Sequence, residues 1–371
     1  MNRIAFVMGE HFLYWHSIIL TLSILTAICM FFALMMRSRE DGFSAVPAVP
    51  LAFFLSLVFS RLIHWYCRPQ GYAGLLSALT DYSRGSFALI GVFAGCLLTA
   101  VLLRLLGICR NLPRMLDCMS IAGALGISTG RLSSLFTTAD RGMLLPDFVP
   151  FPLASRLTNS VSGGTEVRLA VFLIQALIAG ILFWALLCFW LRGRKKDGDT
   201  CLLFLLWYCG SQAVLDSTRY DSIYFRSNGF VSVVQIFSVV TVLVILGIFT
   251  VRLIRCRRWK KLCLPFLTLP LLGLAGYMEY HVQRHGGQAL FAYTVMSLSM
   301  LGAVLLILGI RACAVEPRQM APRVQEYRET PDSRENPWEE EENQVPRQPV
   351  RMPPVEKKRR KGRYQGKFSS R

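Results

Sequence analysis

Two arginines end apolar runs at positions where a charge is costly. Arg131 closes the run from Met115 to Gly130 and opens a glycine- and polar-rich stretch, and Arg219, in Leu215-Asp216-Ser217-Thr218-Arg219-Tyr220-Asp221, ends another. A guanidinium kept at the edge of hydrocarbon holds something anionic. Its planar fork donates two parallel hydrogen bonds, a geometry suited to phosphate. The pair is therefore a candidate clamp for a phosphate. Carboxylates of the chain compete for the same guanidinium groups. Asp216 stands at i, i+3 from Arg219, and Asp140, nine residues on, is the nearest sequence carboxylate to Arg131. Trp15, His16, Arg61, His64, Ser134, Asp221 and Gln235 complete a polar set at the ends of apolar segments. Polar groups at that depth face a cavity or one another. His16 is the candidate general base, because an imidazole titrates near neutrality; the competing reading makes it an interfacial anchor beside Trp15.

These residues need membrane helices to position them. The chain has 371 residues, 53% hydrophobic and 17% charged, with a mean hydropathy of +0.42, which excludes an ordinary soluble domain and fits a polytopic membrane protein. Windows of about twenty apolar residues centre in Tyr14–Met36, Val46–Cys67, Gly85–Leu106, Met115–Arg131, Leu169–Leu191, Leu202–Asp216, Phe230–Leu253, Leu262–Tyr280 and Ala289–Ile310. The expected fold is all-α with about nine transmembrane helices, the fourth and sixth short and polar-edged. Short loops after the first, third, fifth and seventh segments carry fifteen Lys and Arg, against eleven on the opposite face and the amino terminus. Basic residues are retained on the cytoplasmic side, so the amino terminus is expected outside and the carboxyl terminus inside. The first run is longer than a signal-peptide core, and no small-residue cleavage site follows it before Arg37, which predicts a retained helix.

Eleven cysteines lie mostly inside apolar runs without CxxC spacing and read as small core residues. The five histidines are scattered, and the i, i+4 pair His281/His285 lacks a third ligand, so no metal site is expected. Residues 313–371 are rich in Pro, Glu, Arg and Gln without apolar periodicity, and read as a disordered cytoplasmic tail. That tail carries 14 basic and 10 acidic residues, or +4 of the chain's +18. Its cluster from Lys357 to Arg363 could touch anionic headgroups or nucleic acid, but a solvated topogenic tail is the simpler reading. The charge is a topology signal, and no nucleic-acid partner is expected.

The stretch from Met115 to Leu132, with Asp117, Gly126, Gly130 and Arg131 and then Gly142 past the loop, resembles the signature of bacterial prolipoprotein diacylglyceryl transferases. Tyr14-Trp15-His16 is similar to that family's first-helix start, and Ser60-Arg61-Leu62-Ile63-His64 to its second-helix arginine motif. Gly85 to Gly95, with the GxxxG pair Gly91 and Gly95, resembles its third-helix glycine motif; Asp216-Ser-Thr-Arg219-Tyr-Asp221 resembles its "acidic, two residues, arginine" motif, and Val231–Ser238, with Gln235, the segment after it. The glycine pair also has a pure packing explanation, since GxxxG lets helices approach closely. The resemblance spans about residues 12–254, in the family's order and spacing. It implies a seven-helix core over 1–254, two further helices over 255–312 and the tail over 313–371, in a multi-pass protein of the bacterial plasma membrane. It implies transfer of a diacylglyceryl group from phosphatidylglycerol to the lipobox cysteine thiol of a prolipoprotein, without metal or cofactor. Arg131 and Arg219 would bind the phosphate, supported by Ser134, Asp140, Gly142, Arg61, Asp216 and Gln235, with Asp140 and His16 also weighed as catalytic.

Several positions depart from the pattern: Ile90 where the family has histidine or tyrosine, Ser134 for asparagine, Ala139 for glutamate, and Leu169-Ala170 … Ile174-Gln175 for "histidine, proline … tyrosine, glutamate". A second class of function therefore stands beside the first, a non-catalytic protein that binds lipid phosphate. A transporter would need an inverted repeat or paired broken helices, and no repeat relates the two halves.

Overall fold

The computed structural model describes residues 4–314 apart from 9–10, 39–41, 81–86, 159–163, 193–195, 227, 259–260 and 286–287. The tail assigned to 313–371, with its acidic and basic clusters, lies outside the described residues beyond Ala314. Every apolar segment found in the sequence is a helix: α1 (Trp15–Arg37), α2 (Ala45–Cys67), α4 (Leu89–Leu105), α5 (Leu112–Arg131), α6 (Val171–Leu191), α7 (Asp199–Leu215), α8 (Val233–Arg255), α9 (Cys263–His285) and α10 (Ala289–Ala314). A short α3 (Leu75–Thr80) follows α2. Five spans among the described residues are long and apolar enough to cross a membrane, namely those of α1, α2, α6, α8 and α10, while α4 and α7 are apolar but shorter.

The all-α expectation holds for the bundle and not for the segments outside its helices. Three antiparallel strand pairs occur among the described residues: β1 (Ile4–Met8) with β2 (His11–Tyr14) before α1, β3 (Ala154–Thr158) with β4 (Thr165–Leu169) between α5 and α6, and β5 (Tyr224–Phe225) with β6 (Asn228–Ser232) between α7 and α8. Each lies outside the apolar helices. A pair of strands so short carries almost no periodicity of its own.

Helix ends are set by local chemistry. Asn111 caps α5 by accepting from Arg114 N at 3.3 Å, with Pro113 in the first turn where its missing N–H costs nothing. The buried Asp117 of α5 caps a different helix: its carboxylate accepts from Gly198 N at 2.9 Å and Cys201 N at 2.8 Å, at the start of α7. At the same end, Asp199 pairs with Arg252 of α8 at 2.5 Å and Arg311 of α10 at 3.1 Å. One acidic helix start thus ties α10 to the core.

Small residues decide which helices touch. A Cβ on Gly91 would stand 2.3 Å from Ser60 Cα, and one on Gly95 would stand 2.4 Å from Ser56 N. The GxxxG face of α4 is therefore pressed on the backbone of α2, as the packing reading expects. Ser23 of α1 donates to Gly126 O of α5 at 2.7 Å, locking the α1–α5 contact. One apolar core joins α1, α2, α4, α5, α6 and α7. A second joins α7, α8 and α10, with α9 packed against α10. None of the eleven cysteines is in a disulfide, and no metal-ligand cluster occurs among the described residues.

Candidate anion site

The end of α5, the starts of α6 and α8, and the end of α7 meet at one end of the bundle. The chain leaves α5 through a 3-10 turn, Leu132–Phe136, that folds straight back from Arg131 and buries Ser134. It reaches Asp140, whose φ of 59° is a left-handed conformation that aspartate tolerates better than most residues. Asp140 O then accepts from Phe172 N at 3.2 Å, pinning this loop on the first turn of α6.

Asp140 is the centre of the site. Its Oδ1 lies 2.6 Å from Arg131 Nη1 and 2.8 Å from Arg219 Nη2, and its Oδ2 accepts from Ser134 Oγ at 2.8 Å. Its amide donates to Asp221 Oδ2 at 3.0 Å. Arg219 in turn donates through Nε to Asp221 Oδ1 at 3.0 Å and faces Asp216 Oδ1 at 3.4 Å. Burial alone would raise the Asp140 carboxyl, but the guanidinium groups of Arg131 and Arg219 outweigh it and hold the pKa down at about 2. Asp216 leans the other way: burial raises it, against the opposing pull of Arg219 and Ser232. Two guanidinium charges are thus met by three carboxylates, one of them biased by its surroundings towards the neutral form.

The sequence candidates separate once placed. Arg131, Ser134, Asp140, Asp216 and Arg219 form one connected cluster, with Asp221 completing it. Gln235 is joined only indirectly. Its backbone N–H donates to Ser232 Oγ at 3.1 Å and its side-chain Oε1 accepts from Ser232 N at 2.9 Å, a capping box for α8, while its amide donates to Ala213 O at 3.2 Å. Ser232 then reaches Asp216 with a very short hydrogen bond. Gly142 serves a close approach, since a Cβ there would meet Val171 Cγ2 at 2.8 Å and Leu169 Cβ at 2.9 Å. His16 Nδ1 lies 3.3 Å from the Ser133 carbonyl, beside the turn after Arg131, and Trp15 stacks on Phe136 at 6.0 Å. Arg61 is buried in α2 with its guanidinium 5.8 Å from the centre of the Tyr72 ring and 5.1 Å from that of Phe87, and Tyr72 Oη is 3.0 Å from His64 Nδ1.

Two residues escaped the sequence reading. Arg141, only 4% exposed, donates Nη2 to Thr137 O at 3.0 Å and lies over the Phe172 ring at 4.7 Å. Its Nε and Nη1 have no hydrogen-bond partner among the described residues. Burial depresses its pKa, against the pull of Tyr220 and Asp140. Its adjacency to Asp140 was the available signal. Tyr208 of α7 is buried with its hydroxyl beside the Arg131 guanidinium and without a well-aligned hydrogen bond to any described residue. No local signal marks it, because it sits within an apolar helix like other core aromatics.

The arrangement can hold one oxyanion between two guanidinium groups, and Asp140 occupies that position. A family model described as prolipoprotein diacylglyceryl transferase matches residues 3–251, a span that contains the whole cluster and stops short of α9 and α10. Proteins of Thermotoga maritima and Thermotoga petrophila, each named phosphatidylglycerol–prolipoprotein diacylglyceryl transferase, are 27% identical to the chain over 252 residues, covering 66% of this chain and 82% of theirs. The chain therefore belongs to the prolipoprotein diacylglyceryl transferase family.

Proposed function

We propose that the chain transfers the diacylglyceryl group of phosphatidylglycerol to the lipobox cysteine of a prolipoprotein. The observation that carries this reading is the convergence of Arg131 and Arg219 on a single carboxylate oxygen. In the reaction a phosphate oxygen takes the place of Asp140 Oδ1. The cysteine sulfur attacks the glyceryl carbon, an S–C bond forms, the C–O bond to phosphate breaks, and glycerol phosphate leaves with the electron pair. Both guanidinium groups then face more negative charge than they did in the bound lipid, which is where electrostatic stabilisation lowers a barrier. The thiol proton must pass to a base. His16 is the candidate nearest the Arg131 turn: its Nδ1–H donates to the Ser133 carbonyl, which leaves the lone pair that would take the proton on Nε2.

The protein in this reading spans the bacterial plasma membrane about nine times, amino terminus outside and carboxyl terminus in the cytoplasm, with the site on the outer side. The basic loops support that orientation. Its partners are phosphatidylglycerol, other membrane lipids and prolipoprotein signal peptides, with no nucleic acid, metal or cofactor.

One observation favours a second reading, a protein that binds lipid phosphate without transfer. Three carboxylates surround the two arginines and compete with a phosphate for them. Expression in cells depleted of their own transferase separates the two. Lipidation of a lipobox substrate is the expected result, and phosphatidylglycerol that co-purifies without any transfer would leave the second reading standing.

A further inference from the structure

The helices that lie beyond the family match reach the loop that carries Arg219. Ser217 Oγ donates to Glu279 Oε2 of α9 at 2.5 Å, and Tyr293 Oη of α10 donates to Ser217 O at 3.4 Å. Ser217 is thus held by its side chain from one added helix and by its backbone from the other. Glu279 is 6% exposed, and Gln283 of the next turn donates Nε2 to its Oε1 at 3.1 Å, which fixes the carboxylate plane towards Ser217. Tyr224 of β5 lies within electrostatic reach of both Glu279 and Asp216, so the two carboxylates share one neighbourhood.

The loop itself is tight. Arg219 N donates to Asp216 O at 3.2 Å, and Ser222 Oγ donates to the same carbonyl at 2.8 Å. Displacing Ser217 therefore displaces Asp216 and Arg219 with it. A carboxylate buried in a membrane-associated helix carries a desolvation cost that a leucine would not, and this one gives one oxygen to a serine two residues from the site arginine while Gln283 holds the other.

From this geometry we propose that Glu279 is a positioning residue for Arg219, acting through Ser217, so that the α9–α10 hairpin is a working part of the lipid-phosphate site. The proposal rests on the reading of Arg219 as a phosphate ligand. The hairpin sets how the guanidinium meets the phosphate, and the chain differs in this from a core that ends with α8.

The test uses the full chain in detergent with dioctanoyl phosphatidylglycerol as the probe, measuring affinity, transfer kinetics and hydrogen exchange of residues 216–222. Glu279→Ala and Ser217→Ala should each weaken affinity and raise KM about tenfold while kcat changes less than about twofold. Exchange of the 216–222 loop should quicken with the rest of the protein unchanged. The double variant should be no worse than either single one, because both cut the same contact. Glu279→Gln, which keeps an acceptor for Ser217, should recover affinity to within about threefold of the parent. Folded variants with parental affinity and exchange, or an additive double variant, would overturn the proposal. If Glu279→Ala does not fold, Ser217→Ala decides it. A parent chain that binds the lipid but transfers nothing defeats the transferase reading and leaves the affinity arm intact. A parent chain that binds no lipid defeats the phosphate reading and the proposal together.

Discussion

Arg131, the last residue of α5, and Arg219, in the loop after α7, meet at one atom: Asp140 Oδ1, 2.6 Å from the first and 2.8 Å from the second. An oxygen between two guanidinium groups is the arrangement a phosphate would need, and the chain supplies its own anion there. Asp140 and a lipid phosphate are competitors for one position.

Removing that competitor should favour the ligand. Asp140→Asn keeps the shape of the side chain and its contact with Ser134 while deleting the charge. Affinity for dioctanoyl phosphatidylglycerol should rise by about tenfold, about 1.4 kcal/mol, read by titration calorimetry. Unchanged or weaker binding in a folded variant would mean that the phosphate does not enter between the arginines.

Charge alone does not describe the pair. Lysine is a point charge without the fork needed to bridge Asp140 or a phosphate, so Arg131→Lys and Arg219→Lys should each lower kcat/KM by about a hundredfold, about 2.7 kcal/mol. The double variant should fall by much less than the product, because both side chains act on one oxygen. Full additivity in a double-mutant cycle would show independent roles.

The Asp140 cluster also sets a pH dependence. The folded carboxyl titrates at about 2 against an ordinary value of 3.8. A depressed carboxylate contributes stability that is fully present above its unfolded pKa and is lost as pH falls through the folded one. About 2 kcal/mol should therefore disappear between about pH 4.5 and 2. Thermal unfolding in detergent should show this loss in the parent chain and a flatter profile in Asp140→Asn.

Packing makes a prediction far from the charges. An added methyl at Gly95 would stand 2.4 Å from the Ser56 backbone nitrogen, where no side chain can swing away. Gly95→Ala should cost about 1–3 kcal/mol by forcing α2 and α4 apart, seen as a lower unfolding temperature. A variant as stable as the parent would contradict the close α2–α4 contact.

The opposite end of the bundle has its own test. Asp117 accepts two backbone N–H groups at the start of α7, so Asp117→Ala should cost about 2 kcal/mol of stability. Lipid affinity among the folded molecules should be unaffected, which separates this signature aspartate from the anion site.

Much of this was legible in the chain. Among the described residues each of the nine apolar runs is a helix, and five spans are long and apolar enough to cross a membrane, because hydropathy over about twenty residues is a local property. Arg131 and Arg219 were legible for the same reason, as charges at the ends of such runs. Asp140 was visible as the nearest carboxylate to Arg131, but its second partner was not, since Arg219 lies on a different helix connection. The role of Gln235 was hidden by a short-range competitor: Ser232 three residues earlier turns it into a capping box, and the sequence resemblance gave no weight to that spacing. Tyr208 and Arg141 were missed because an apolar helix and a basic loop supply ordinary reasons for a tyrosine and an arginine.

The sequence by itself determined the helices, the family and the two arginines, because each depends on residues close together along the chain or on a pattern of spacings. Only the tertiary structure decided that the arginines share one carboxylate oxygen, that Asp117 caps a helix other than its own, and that Glu279 reaches Ser217. Those contacts join residues from about 60 to more than 80 positions apart, and at such separations the meeting of two side chains is set by how helix ends converge.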